Sequence, residues 1–352
     1  MTLHAWRMIE PGRPLERTEG PLPEPGPGEV LLEVVACGLC HTDVGFLYGG
    51  VRTNAPLPLT LGHEIVGRAL SVGPGVESAV GAAYIVPAVL PCGECDLCRR
   101  GRGNVCRAQK MPGNDFDGGF ASHVVVPLAP LCRVPDDFAD LPALGVVADA
   151  VATSYQTVER ARVDDRRAVV VIGSGGLGTF AIQCAQAKGA RVVAVDVDSR
   201  RLEVCGAELA LDASQLDTKA IRSAVSSFER SEGLAPTGRV ILECSGSAAG
   251  QETAWSLLGY DATLAVVGFT LDRVPLRLSN LMAFDATAFG NWGCLPEHFP
   301  AILDLVRDGA VRLEPYVETY PMSALNDLLR AEHHARRPVL TPDFEPSKET
   351  EA

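Results

Sequence analysis

The sequence predicts an α/β protein of two domains, an irregular all-β domain and a doubly wound parallel-sheet domain. Three observations carry this. The texture changes near residue 150. Beyond it, short β-branched runs alternate with helical stretches. A glycine cluster sits between one such run and the helix after it. The 352 residues fit two domains at roughly 150 residues each.

The elements follow in order. Residues 30–35 (VLLEVV) and 65–72 (IVGRALSV) read as strands in a Gly- and Pro-rich first third, and 21–28 is a turn-rich connection. Residues 168–172 (AVVVI) form a buried strand, and 179–188 a helix with Gly189 as its C-terminal cap. A second strand, 191–195, ends at Asp196. Residues 239–242 and 262–267 are further buried strands. The last sixty or so residues lose this rhythm and return to the first domain. The expected division is 1–151 with 291–352 for the first domain, and 152–290 for the second.

Composition narrows the function classes. With 31 basic and 44 acidic side chains the formal net charge is −13, which disfavours a nucleic-acid partner. A hydrophobic fraction of 47% against 21% charged residues is globular rather than disordered. No apolar run approaches the ~20 residues of a membrane span. Residues 1–11, with Arg7 and Glu10, do not read as a signal peptide, so a cytoplasmic location is expected. Eleven cysteines, an odd number, argue against a full disulfide framework and for metal ligation or reactive thiols.

Cys92, Cys95, Cys98 and Cys106 give C-x2-C-x2-C-x7-C in a lobe at 91–107. Four thiolates at this spacing can close a tetrahedron around a structural Zn²⁺, with Gly93 and Gly101 letting the loop fold back. An Fe–S cluster is the alternative for the same donors. Arg99, Arg100, Arg102, Arg107 and Lys110 crowd the lobe. They read as a solvated face offsetting thiolate charge rather than as contacts to an anionic substrate.

Gly173, Ser174, Gly175, Gly176, Leu177 and Gly178 fit G-x-G-x-x-G between a strand and a helix, the context that makes this motif a dinucleotide site. Gly173 turns tightly, Gly175 admits the pyrophosphate, and Gly178 allows close helix–strand packing. Asp196, eighteen residues past Gly178, suits the ribose hydroxyls of NAD. Arg200 and Arg201 follow it. Arg201 is a candidate for the adenosine ribose, and NADP use stays open.

Two smaller fragments complete the set: Cys40-His41-Thr42-Asp43 and Gly62-His63-Glu64. Standing as GLCHTD, GHE, CGECDLCRRGRGNVC and GSGGLG over nearly the whole chain, the motifs resemble the zinc-containing medium-chain alcohol dehydrogenases. That resemblance implies a GroES-like catalytic domain, a Rossmann cofactor domain, NAD, and two Zn²⁺ per subunit, one catalytic and one structural. It implies Cys40 and His63 as ligands of the catalytic zinc. Six residues before Tyr155, where the family usually places a third Cys ligand, this chain has Asp149. A carboxylate ligates zinc and keeps the charge, but donates less electron density. Glu64 lies close by analogy and approaches the metal when its fourth position empties, which leaves open whether Asp149 or Glu64 completes the site. Asp43 orients His63, and Thr42 relays the substrate proton. The relay's usual next member, a His, is replaced by Gly45. His41 and Arg337 match positions that meet the pyrophosphate, and Thr153 and Val267 positions near the nicotinamide.

A narrower resemblance bears on the substrate. CHTDVGFLYGGV (40–51), GRGNVCRAQKMPGN (101–114), VVADAVAT (146–153), LMAFDATAFGNWGCLPEHFP (281–300) and AEHHARRPVLTPDF (331–344) look like the 6-hydroxycyclohex-1-ene-1-carbonyl-CoA dehydrogenases, which share the departure at Asp149. This implies a small-molecule partner, a cyclic allylic alcohol on a CoA thioester oxidised to the enone in anaerobic benzoyl-CoA degradation. Enone reduction is an implied side activity. A homo-oligomer is implied too, with tetramers common among bacterial relatives. Trp292, Phe289, Phe46, Leu47 and Tyr48 are candidates for an apolar pocket. The enzyme alternative is a dehydrogenase of simple or aromatic alcohols. A dinucleotide-binding sensor and a zinc-ribbon interaction module are the non-enzyme alternatives. Cys40, His63 and Thr42 speak against the first and the acidic balance against the second. Of Cys37, Cys132, Cys184, Cys205, Cys244 and Cys294, most read as small buried residues.

Overall fold

The computed structural model describes residues 1–76, 80–331 and 334–344. Glu332 and His333 of the stretch 331–344, and the end of the segment 291–352, lie outside the described residues. The chain forms two compact units. Among the described residues, one holds those of 1–149, 293–303 and 313–344, the other 150–292 and 304–312.

In the first unit the strand Glu29–Gly38 is the hub of a seven-stranded sheet. It pairs antiparallel with Glu64–Val72, with Arg337–Thr341 and with His123–Pro127. Ala83–Val86 and Cys132–Arg133 extend the sheet on one side, and Val317–Pro321 on the other. A smaller sheet joins Thr2–Met8 to Glu16–Pro21 and Leu59–Thr60. Alternating apolar positions Val30, Leu32 and Val34 feed one core with Leu61, Ile65, Val86 and Phe120.

The second unit is a six-stranded, wholly parallel sheet. Its order is Leu209–Asp212, Arg191–Asp196, Ala168–Ile172, Val240–Glu243, Thr263–Val266, Thr287–Gly290. All five residues of Ala168–Ile172 are buried, as a strand covered on both faces requires. Val170 lies level with Val193 and Ile241 at the centre of the core. The expected helix is found at Gly178–Ala187, and Gly189 takes the left-handed conformation (φ +82°) just past its end. The expected strands appear within a few residues of their expected ends.

The units divide differently from the expected boundaries at 150–151, 291–292 and 304–312, all of which go with the parallel sheet. Residues 304–312 go with the parallel sheet, because the Gln183 side chain holds both the N–H (2.8 Å) and the C=O (3.3 Å) of Arg312. Among the described residues no helix is long and apolar enough to cross a membrane.

Candidate metal centres and dinucleotide loop

The four lobe cysteines converge. Sulfur separations are 3.4 Å for Cys92–Cys106, 3.5 Å for Cys95–Cys98, 3.7 Å for Cys95–Cys106 and 3.9 Å for Cys92–Cys98. A tetrahedron with ~2.3 Å zinc–sulfur bonds has edges of about 3.8 Å, so this set fits Zn²⁺, and none of the four is in a disulfide. Gly93 (φ +78°) and Gly101 (φ +67°) supply the reversals. The N–H groups of Cys92 (3.4 Å) and Ala108 (3.3 Å) donate to Cys106 Sγ, and the Cys98 N–H beside Cys95 helps lower that thiol to about 6. Of the basic side chains here, Arg100 pairs with exposed Asp96 (2.9 Å).

A second cluster draws together Cys40, His63, Glu64 and Asp149, whose ligand atoms all lie within 4.8 Å of one another. Cys40 follows the hub strand and caps the helix His41–Leu47. His63 precedes the strand Glu64–Val72 and follows Gly62, whose φ of +95° and tight packing on Cys37 and Phe120 admit no side chain. Asp149 ends the 3-10 segment Pro142–Ala148. Fully buried Asp43 ties the pieces together. Its Oδ2 accepts from the Cys40 N–H (3.0 Å) and its Oδ1 from the Gly62 N–H (3.1 Å), and Oδ1 faces His63 Nδ1 at 3.5 Å.

Asp149 Oδ2 stands 3.9 Å from Cys40 Sγ and 3.8 Å from His63 Nε2. Tetrahedral zinc wants about 3.4–3.6 Å for such edges, so a small inward movement closes the site. Glu64 spends both oxygens on Arg337, through Nε (3.0 Å) and a second, shorter contact from Nη2. Asp149 is therefore the carboxylate turned toward Cys40 and His63. The site also calls for positive charge. Burial would lower the His63 imidazole, yet Asp43, Asp149 and Cys40 push it well above its usual value.

The glycine loop has the close packing its motif demands. A Cβ on Gly178 would fall 1.7 Å from the Gly173 oxygen, and Gly173 itself sits at φ +86°. Asp196 is buried. It receives the Ser174 N–H (2.7 Å) and O–H (3.0 Å) on Oδ2 and the Asp198 N–H (2.9 Å) on Oδ1. Arg201 overhangs Gly175, its Nη1 3.4 Å from where a Cβ would be, and Asp198 lies 3.9 Å from its Nε. Gly176 and Leu177 complete the loop, and Leu177 is the N-cap of the following helix.

The remaining candidates fall variously. Thr42 Oγ1 is exposed, 3.7 Å from Cys40 Sγ, and His41 is exposed beside it. Thr153 is buried, and its carbonyl takes the Thr157 hydroxyl (2.7 Å). Val267 is half-buried, its N–H on the Glu243 carbonyl (2.9 Å). Arg337, expected at a pyrophosphate, pairs with buried Glu64, a carboxylate that is sealed from water and needs a counter-charge. Phe46 and Leu47 are core, not pocket, since both pack beneath the first sheet. Tyr48 and Trp292 are exposed, and half-buried Phe289 lies under the Arg160 guanidinium at 4.5 Å. Cys37 is fully buried, and no second cysteine cluster forms with it among the described residues. Two groups carried no sequence signal: Glu243, and Arg160 with Asn291. The Arg160 Nη1 donates to the Gly290 carbonyl (2.7 Å) and Asn291 Oδ1 (2.9 Å).

Comparison with known proteins points to one family. Residues 26–136 match the model of the alcohol dehydrogenase GroES-like domain, and residues 176–308 match that of zinc-binding dehydrogenases. An alcohol dehydrogenase of Rhizobium meliloti is 31% identical over 319 residues, 88% of this chain and 90% of that one. An alcohol dehydrogenase of Geobacillus stearothermophilus is 29% identical over 323 residues, 89% and 91% of the two chains. The crystal structure of galactitol-1-phosphate dehydrogenase from Escherichia coli is similar at a TM-score of 0.87 and 25% identity, covering 96% of this chain and 100% of that one.

Proposed function

This chain belongs to the zinc-binding alcohol dehydrogenase family and is an oxidoreductase, and we propose that it oxidises 6-hydroxycyclohex-1-ene-1-carbonyl-CoA to the 6-oxo enone with NAD⁺. The observation that carries this reading is Asp149. A carboxylate joins Cys40 and His63 where the wider family places a thiolate, and the resembled CoA dehydrogenases share that departure.

Cys40, His63 and Asp149 would hold the catalytic zinc, and Cys92, Cys95, Cys98 and Cys106 the structural one. A bound zinc supplies Lewis acidity toward the substrate oxygen, and NAD⁺ supplies the hydride acceptor. The chain's own residues do the rest. Asp43 fixes the backbone at Cys40 and Gly62, so both donor side chains start from preset positions. Oxidation removes a hydride from carbon and a proton from oxygen. Thr42 presents an exposed hydroxyl to receive that proton and pass it to water. The Gly173–Gly178 loop and the first turn of its helix present N–H groups suited to the pyrophosphate. Asp196, held by Ser174 and Asp198, would set its carboxylate beside the adenosine ribose, which favours NAD over NADP. A homo-oligomer is part of the same reading. Among the described residues the strand Thr287–Gly290 pairs on one side only, and exposed Leu278 and Met282 precede it.

The test is NADH formation from the CoA thioester, beside its free acid and simple cyclohexenols at matched concentrations. Turnover of the thioester at least tenfold above the others is expected. Turnover of free alcohols with none of the thioester contradicts the substrate assignment and leaves a dehydrogenase of simple or aromatic alcohols. Reduction of cyclic enones at the β-carbon by NADH is checked in the same assay.

A further inference from the structure

The strand Val240–Glu243 ends in an acid that no motif explains. Glu243 is fully buried. Its Oε1 gathers three donors, the Ser245 N–H (2.8 Å), the Ser245 O–H (2.5 Å) and the Gly246 N–H (3.2 Å). Its Oε2 is sealed from solvent with no hydrogen-bond partner. Burial pushes the carboxyl up, against the pull of those donors. An interior carboxylate satisfied on one oxygen only is a cost to folding, and folds keep such costs mainly where a site needs them.

Three loops bear on this residue. The carboxylate pins the loop 244–247. The backbone carbonyl of Glu243 receives the N–H groups of Val267 (2.9 Å) and Gly268 (3.0 Å), which fixes the next loop. Ser245 in turn backs onto the first glycine of the dinucleotide motif, where a Cβ on Gly173 would fall 2.6 Å from Ser245 Cα. The loops 244–247 and 267–268 interlock so closely that a Cβ on Gly268 would fall 2.2 Å from the Gly246 nitrogen. In doubly wound sheets the dinucleotide binds outside the C-terminal ends of the strands, where the strand order reverses. That reversal lies here between Ala168–Ile172 and Val240–Glu243. Glu243 therefore stands at the C-terminal end of a strand bordering the crevice.

We propose that Glu243 is a positioning residue for the dinucleotide, holding the loop 244–247 against Gly173 and the loop 267–268 against Gly246 so that their backbone groups are preset for the cofactor. This rests on the NAD-dependent reading above. The residue touches no cofactor atom and acts through Ser245, Gly246, Val267 and Gly268.

The experiment titrates NADH by fluorescence into full-length wild type, Glu243→Ala, Glu243→Gln and Ser245→Ala, with KM for NAD⁺ and for the alcohol and a thermal melt on each. Glu243→Ala should raise the NADH Kd and the NAD⁺ KM at least tenfold and leave the alcohol KM within twofold. Glu243→Gln keeps an acceptor oxygen for the loop and should stay within threefold of wild type. Should Glu243→Ala fail to fold, Ser245→Ala decides, with a two- to fivefold rise in Kd expected. A purely structural role would lower the melting temperature without moving the ratio of the two KM values. Folded variants that bind NADH within twofold of wild type, at Glu243→Ala or at the deciding Ser245→Ala, overturn the proposal. A wild-type chain that binds no NADH overturns the cofactor reading itself, and this inference with it.

Discussion

Asp149→Ala should lower kcat by roughly a thousandfold or more, the effect of losing a Lewis acid worth several kcal/mol at about 1.36 kcal/mol per tenfold. Its Oδ2 is the oxygen that lies 3.8 Å from His63 Nε2 and 3.9 Å from Cys40 Sγ, so its removal opens one side of the donor set. Glu64 does not readily replace it, because both its oxygens are held by Arg337. NADH affinity should stay within about twofold. The glycine loop and Asp196 share no residue with the donor set of Cys40, His63 and Asp149. Steady-state kinetics with a fluorescence titration of NADH check both halves. An unchanged kcat would remove Asp149 from the reaction.

Arg337→Ala should be the most destabilising single change near the site. It leaves the Glu64 carboxylate, fully buried, without its cation. Breaking one side of a buried pair costs about 3–5 kcal/mol, because the remaining charge cannot be solvated. Burial already pushes the Glu64 carboxyl up, and Arg337 is the main force holding it down, so the unpaired acid should take up a proton. The double replacement Glu64→Met with Arg337→Met should recover most of the loss, since two apolar side chains of similar volume leave no charge stranded. Urea unfolding of wild type, Arg337→Ala and the double variant measures the loss and the recovery. A loss below about 1 kcal/mol in Arg337→Ala would mean that another group carries the counter-charge.

Much of the molecule is legible in its residues, for reasons that differ by element. The central strands Ala168–Ile172 and Arg191–Asp196 are legible because burial on both faces forces unbroken apolar runs. The outer strands Leu209–Asp212 and Thr287–Gly290 leave no such signal. They are four residues long, sit at the sheet edges and are only partly covered. The metal lobe reads from local spacing alone, since fifteen residues hold all four thiols. The second cluster does not. Its members come from three distant segments, and resemblance rather than spacing draws Cys40, His63 and Asp149 together. The Glu64–Arg337 pair spans 273 residues, so no local pattern announces it. Glu243 is hidden for a similar reason. In sequence it is one more residue after an apolar run, and only the folded loops show three donors meeting on one of its oxygens.

The most direct test of the account is a zinc count per chain by elemental analysis, on wild type and on Asp149→Ala after dialysis against a mild chelator. The account predicts two zinc ions in the wild type. It predicts one in the variant, retained by Cys92, Cys95, Cys98 and Cys106. Two ions retained in Asp149→Ala would show that the metal is held without the carboxylate, and one or none in the wild type would show that Cys40, His63 and Asp149 do not form a metal site.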